Sequence, residues 1–213
     1  MNYNTPLTDD WNMIIAVTDR KRAMLPFSEQ IGLIAKARPN MLILAERDLS
    51  VPEFKALAVE CKAECDKNGV ELCIDKFTDV AKEIGVKAIH VSLSELREKK
   101  PEGFVKILTV IRSDKEAMEA EKLGATLLIF RDVFETSCKS CRNAKGLAML
   151  RFITGSVEIP VVGAGGLMPE VFLEVLATDS AGLCMREGFM RTRDPAAIVE
   201  AYRAAMKKWE QYR

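Results

Sequence analysis

The sequence predicts a single (β/α)8 barrel. Three observations carry that expectation. Eight short apolar runs recur along 213 residues. They are continuous rather than alternating, which is the pattern of strands buried on both faces. Helical patterns with start and stop signals separate most of them, as parallel strands require.

Taken in order, MIIAV (13–17) is the first run, and a helix over 28–37 follows, starting at Ser28 with Glu29 in its first turn. MLILA (41–45) is the second. The helix after it, 51–67, has Ser50 as its cap and Pro52 early, and stops at Asn68-Gly69. ELCI (71–74) and a short helix over 79–84 ending at Gly85 come next, then AIHV (88–91) and an irregular connection over 92–104. KILTVI (106–111) precedes a helix over 114–123, with Ser113 and Asp114 as cap candidates and Gly124 as its stop, and TLLIF (126–130) precedes one over 144–153. PVVG (160–163) leads to a helix over 169–177, and GLCM (182–185) to one over 195–209 behind Asp194-Pro195. The competing arrangement is an open doubly wound sheet. It predicts a G-x-G-x-x-G turn after the first strand, but residues 18–25, TDRKRAML, contain no glycine.

Bulk properties narrow the function. The chain is 48% hydrophobic, enough for one core, with residues 1–12 an N-terminal extension of a single domain over 1–213. Lys plus Arg and Asp plus Glu are both 31. Zero formal charge argues against nucleic acid or an anionic membrane as the main partner. The polar, acidic start MNYNTPLTDDWN is no secretory signal, and a cytoplasmic protein is expected. Cys61, Cys65, Cys73 and Cys184 sit in apolar patterns and read as small buried hydrophobes. Cys138 and Cys141 form one C-x-x-C, with no second pair or histidine at ligand spacing.

The seventh run ends in VVGAGGLMPE, so Gly163, Gly165 and Gly166 fall on the end of the barrel where active sites lie. Gly188, just after the eighth run, faces the same region. Uncovered backbone N–H groups there suit a phosphate. A tight strand-to-helix turn would use the same glycines.

Other segments fall at matching strand ends: ILAERDLS, CIDKFTDVA, IHVSLSEL and VFETSCK. Together with PVVGAGGL they resemble the thiamin phosphate synthase and TenI superfamily, from about Met13 to about Met206. VFETSCK is closer to the TenI, or thiazole tautomerase, branch. The resemblance implies a small, usually dimeric barrel that binds a thiazole phosphate at Gly165, Gly166 and Gly188. Synthases join a pyrimidine diphosphate to that thiazole with magnesium. Tautomerases shift one proton in a thiazole carboxylate phosphate and need no metal.

Departures from the family pattern shape the expected site. Ala45 replaces an arginine, beside Glu46 and Arg47 on the active face. Lys76 stands where the synthase has a magnesium-binding aspartate, Glu95 stands at the second metal aspartate, and a Lys76–Glu95 ion pair is expected. No metal cofactor is expected. Asp132 occupies the place of the tautomerase histidine, so Asp132 is a candidate acid–base group. His90, the only histidine, is the other, at a position the family uses for packing. Thr136, Ser137 and Lys139 match the family's T-x-T-K and suit phosphate oxygens. The expected activity is therefore a TenI-like, metal-independent one on a thiazole phosphate. A thiamin phosphate synthase and a non-catalytic phospho-ligand-binding regulator are the alternatives.

Overall fold

The structure is a computed structural model that describes residues 12–135 and 144–212. Residues 1–11 of the N-terminal extension, Thr136, Ser137, Lys139, Cys138 and Cys141 lie outside the described residues.

Eight parallel strands close on themselves: β1 Met13–Val17, β2 Met41–Leu44, β3 Glu71–Asp75, β4 Ala88–Val91, β5 Lys106–Ile111, β6 Leu127–Phe130, β7 Val161–Ala164 and β8 Gly182–Met185. Each pairs with the next in sequence, and β8 returns to β1 with Ile15 opposite Cys184. The open-sheet alternative is excluded by this closure. Helices α1 Phe27–Ala37, α2 Val51–Asn68, α3 Thr78–Glu83, α4 Leu93–Glu98, α5 Asp114–Lys122, α6 Gly146–Thr154, α7 Phe172–Leu176, α8 Glu187–Met190 and α9 Pro195–Glu210 connect and surround the strands.

The continuous apolar runs have a direct cause. Alternate residues of each strand enter two different cores. Met13, Ile15, Met41, Ile43, Cys73, Leu108, Ile129 and Val162 fill the barrel interior. Ile14, Leu42, Leu44, Ile74, Ile89 and Leu128 pack outward under the helices. No strand has a face left for water, so none alternates.

Two expected elements differ. The connection after β4 contains α4, because Ser92 caps it and accepts from the Glu95 amide at 3.2 Å. Glu95 completes the box by accepting from the Ser92 amide at 2.7 Å. The helix expected over 169–177 is instead a 3-10 turn, Pro169–Val171, followed by the five residues of α7. Elsewhere the boundaries move by one or two residues. No helix among the described residues is long and apolar enough to cross a membrane.

Candidate active site

Parallel strands of a barrel deliver their C-terminal ends to one rim, so residues just past each strand converge there. On β2, Glu46 and Arg47 diverge. Glu46 is buried and accepts from the Thr18 hydroxyl at 2.8 Å and the Arg20 amide at 3.0 Å. The Arg20 guanidinium bridges Glu46 and Asp48, and with Lys21 holds the Asp48 carboxyl well below the usual carboxylate range. This network ties the loop after β1 to the loop after β2. Glu46 is thus a structural anchor with its oxygens engaged.

Arg47 turns toward β3 instead, where its guanidinium grips both oxygens of Asp75, one at 2.7 Å from the terminal nitrogen. Asp75 ends β3, is 2% exposed, and also lies 2.7 Å from His90 Nδ1 on β4. Strand register makes this possible, because Asp75 is the direct neighbour of His90 across the β3–β4 ladder. Burial raises the Asp75 pKa, but the hydrogen bonds and charges of Arg47 and His90 outweigh it and hold the carboxyl below its ordinary value. An ionised carboxylate only accepts, so His90 Nδ1 carries the proton and donates. His90 Nε2 is buried and has no hydrogen-bond partner among the described residues.

Asp75 is the site residue that sequence reading missed. The signal was available: a carboxylate closing an otherwise apolar strand is expensive to bury without partners. His90, a candidate acid–base group at a position the family uses for packing, has its ring oriented by an acid.

The expected Lys76–Glu95 pair is not formed. Glu95 turns back onto its own helix start and accepts from the Ser92 amide at 2.7 Å and hydroxyl at 2.6 Å. Local capping by two hydrogen bonds from a residue three positions earlier wins over an ion pair that must order a long lysine chain. Lys76 is exposed, in left-handed backbone at φ 72°, with its amide donating to the His90 carbonyl at 3.0 Å.

Asp132 lies on the loop after β6, nearly buried, also left-handed at φ 71°. Its carboxylate accepts from Arg131 Nε at 3.2 and 3.3 Å, and its carbonyl accepts from the Lys145 amide at 2.8 Å. The loop is zipped to the end of β7: Val133 donates to the Ala164 carbonyl at 3.0 Å and Phe134 to that of Gly165 at 3.1 Å.

That zipper gives the glycine turn a cause of its own. Gly165 and Gly166 have φ values of 95° and 65°. A Cβ on Gly165 would lie 2.9 Å from the Asp132 amide nitrogen, and one on Gly166 2.7 Å from the Glu135 carbonyl oxygen. The turn needs glycine for packing even before any ligand is considered. Its amides are nonetheless unspent: among the described residues, no backbone carbonyl accepts from Gly165, Gly166 or Gly188. Gly188 lies in the first turn of α8. Beside it, Glu187 is drawn to Arg191 at 2.8 Å and to Arg22 at 3.7 Å.

A scan of family models matches residues 14–189 to the family described as thiamine monophosphate synthase, abbreviated TMP-TENI. The chain belongs to this family. Among curated TMP-TENI relatives, a thiamine-phosphate synthase of Clostridium acetobutylicum is 30% identical over 86% of this chain and 90% of its own length. One from Ruminiclostridium cellulolyticum is 32% identical over 76% and 79%. Among solved structures, a thiamine phosphate pyrophosphorylase from Pyrococcus furiosus superposes with a TM-score of 0.82 at 24% identity, covering 94% of this chain and 98% of that one. A 3-hexulose-6-phosphate synthase does so at 0.67 and 16%, over 91% and 99%. Both likenesses concern the fold. Membership supports the superfamily named from the motifs. The relatives are named for synthase activity rather than for the TenI branch.

Proposed function

We propose that this TMP-TENI barrel binds a thiazole phosphate at its C-terminal rim and makes thiamin phosphate from it, by joining it to a pyrimidine diphosphate. The observation that carries the binding half is the set of amides at Gly165, Gly166 and Gly188, just past the ends of β7 and β8, from which no backbone carbonyl of the described residues accepts. The relatives' names support the synthase reaction over the TenI-like one expected from VFETSCK.

A magnesium ion, which the resemblance implies for synthases, does not fit the residues present. Lys76 replaces one expected ligand, Glu95 is held by Ser92, and both oxygens of Asp75 are engaged by Arg47. Among the described residues, no group of three or more His, Cys, Asp or Glu is arranged to hold a metal. In this reading the exposed Lys76 ammonium provides positive charge on the β3 side of the mouth, across from the phosphate.

One observation favours a second reaction. Asp75 holds the His90 imidazole through Nδ1 at 2.7 Å, and an oriented acid–base side chain of this kind suits a proton shift in a thiazole carboxylate phosphate.

One experiment separates these. The protein is incubated with thiazole phosphate and pyrimidine diphosphate, with magnesium or with a chelator, and thiamin phosphate is followed. Formation of product that survives chelation supports the reading in full. Formation only with magnesium refutes the metal-free part. No product, with thiazole phosphate still bound, leaves the proton shift as the reaction. No binding refutes the phosphate site.

A further inference from the structure

We infer that Lys76 takes the place of the divalent cation in this barrel: its ammonium holds the diphosphate of the pyrimidine partner and stabilises it as it leaves. The inference rests on the synthase reading above and names the residue that does the metal's work there.

The first observation is strain in the backbone that presents Lys76. The Phe77 amide donates to the Asp75 carbonyl at 2.9 Å across Lys76, whose φ is 72°. A hydrogen bond that spans one residue at positive φ closes a γ-turn of the rare, strained hand. Glycine would hold that turn with less strain, yet the chain has lysine. Such strain persists only where the surroundings over-determine it, and it collects at functional sites. Here the clamps lie on both sides. Arg47 and His90 grip the Asp75 carboxylate. The Lys76 amide donates to the His90 carbonyl at 3.0 Å, and its carbonyl accepts from the Thr78 amide at 2.8 Å. The Phe77 ring stacks on buried Phe54 with centroids 4.1 Å apart.

The second observation is what this strain achieves. In a regular strand residue 76 would share the outward face of Leu72 and Ile74, which pack under the helices. Left-handed backbone breaks that alternation just past β3, and Lys76 stays exposed at the rim. Third, its charge is uncommitted. Among the described residues no carboxylate pairs with Lys76, because Glu95 caps α4 and Asp75 is taken by Arg47 and His90. An ammonium at an expected metal-ligand position inverts the preference of that corner from cation to anion. The anion it meets is not the one at the glycine turn, since β3 and β7 stand halfway round the closed strand order from each other.

The step needs neither a metal nor a proton. The bond from the pyrimidine's exocyclic carbon to the diphosphate breaks, and its electron pair leaves on the diphosphate oxygen. The lone pair of the thiazole nitrogen forms the new C–N bond. Negative charge grows on the leaving group as this happens. A cation fixed beside it therefore stabilises the transition state more than the bound substrate.

The test uses the full-length protein in chelator at low ionic strength. Inorganic pyrophosphate, the pyrimidine diphosphate and thiazole phosphate are each titrated by calorimetry. Wild type is expected to bind both diphosphates. Lys76→Gln should weaken both by about 10- to 100-fold, the loss of one charged hydrogen-bonding group, and leave thiazole phosphate binding unchanged. Lys76→Arg should keep most of the affinity. In turnover, Lys76→Gln should lower kcat by about 10²- to 10³-fold. Lys76→Gly should melt at least as high as Lys76→Ala, because glycine takes φ 72° without strain. No diphosphate binding in chelator, equal binding by wild type and Lys76→Gln, or Lys76→Gly melting below Lys76→Ala would each overturn the inference. Diphosphate binding that depends on Lys76 without any thiamin phosphate formed would refute the synthase reading and leave Lys76 as a diphosphate ligand. Absence of thiazole phosphate binding by wild type would refute the glycine-turn site alone.

Discussion

Alanine at Gly165 and at Gly188 should have opposite consequences, and the difference separates packing from ligand binding. At Gly165 the backbone is at φ 95°, a region that costs a side-chain-bearing residue about 1–2 kcal/mol. The new Cβ would lie 2.9 Å from the Asp132 amide nitrogen and 3.1 Å from its Cα, both backbone atoms of a loop hydrogen-bonded to β7. Relieving that overlap costs about 1–3 kcal/mol more. The sum is about 2–5 kcal/mol, which for a chain of this size lowers Tm by roughly 5–15 °C. At Gly188 the φ is ordinary, and the added carbon meets the mobile end of Met185 at 2.7 Å and Ile198 at 3.5 Å. Alanine is also the better helix former by about 1 kcal/mol, so Gly188→Ala should melt within about 2–3 °C of wild type. The assay is scanning calorimetry without ligand, then titration with thiazole phosphate. Gly188→Ala should bind more weakly despite its intact fold, because its methyl group crowds the amide proposed to receive the phosphate. A Gly165→Ala protein that melts with wild type would refute the packing account of the turn. A Gly188→Ala protein that binds as wild type does would remove α8 from the phosphate site.

Two further outcomes can be checked directly. The Asp75 carboxyl is depressed in the folded state, so its contribution to stability is fully present above the unfolded value near 3.9 and is lost as pH falls through the lower folded value. Urea midpoints measured from pH 6 downward should therefore show a steeper acid limb for wild type than for Asp75→Asn; parallel limbs would mean that Asp75 is not ionised in the fold. Burial pushes the Cys184 and Cys65 thiols up to about 12, and raises those of Cys61 and Cys73 as well. Alkylation at pH 8 mapped by mass spectrometry should leave these four unlabelled until denaturant is added, and rapid labelling of any one would contradict its burial.

How much of this was legible beforehand varies by element. The strands were, because burial on both faces leaves an uninterrupted apolar run such as MIIAV or KILTVI. Helix α2 was, because Ser50, Pro52 and Gly69 mark its ends locally. Helix α4 was overlooked although Ser92 and Glu95 spell a capping box, since no glycine closes it as Gly85 follows the equally short α3. In the site, the glycine turn was located correctly, but its reason included the loop after β6, which nothing near residue 165 announces. Asp75 passed unnoticed and Glu95 was paired with the wrong partner. Both errors come from treating strand-end residues one at a time.

The sequence by itself determined a closed alternation of strands and helices and the rim to which the polar residues are delivered. Periodicity, caps and turn residues act over a few positions and can be read there. Only the tertiary structure decided which of those polar groups meet. Asp75 finds His90 through strand register, and Arg47 and Asp75 come together from different loops, at separations set by barrel closure. Contacts of that kind depend on how distant segments are aligned, and no local pattern in the chain carries that alignment.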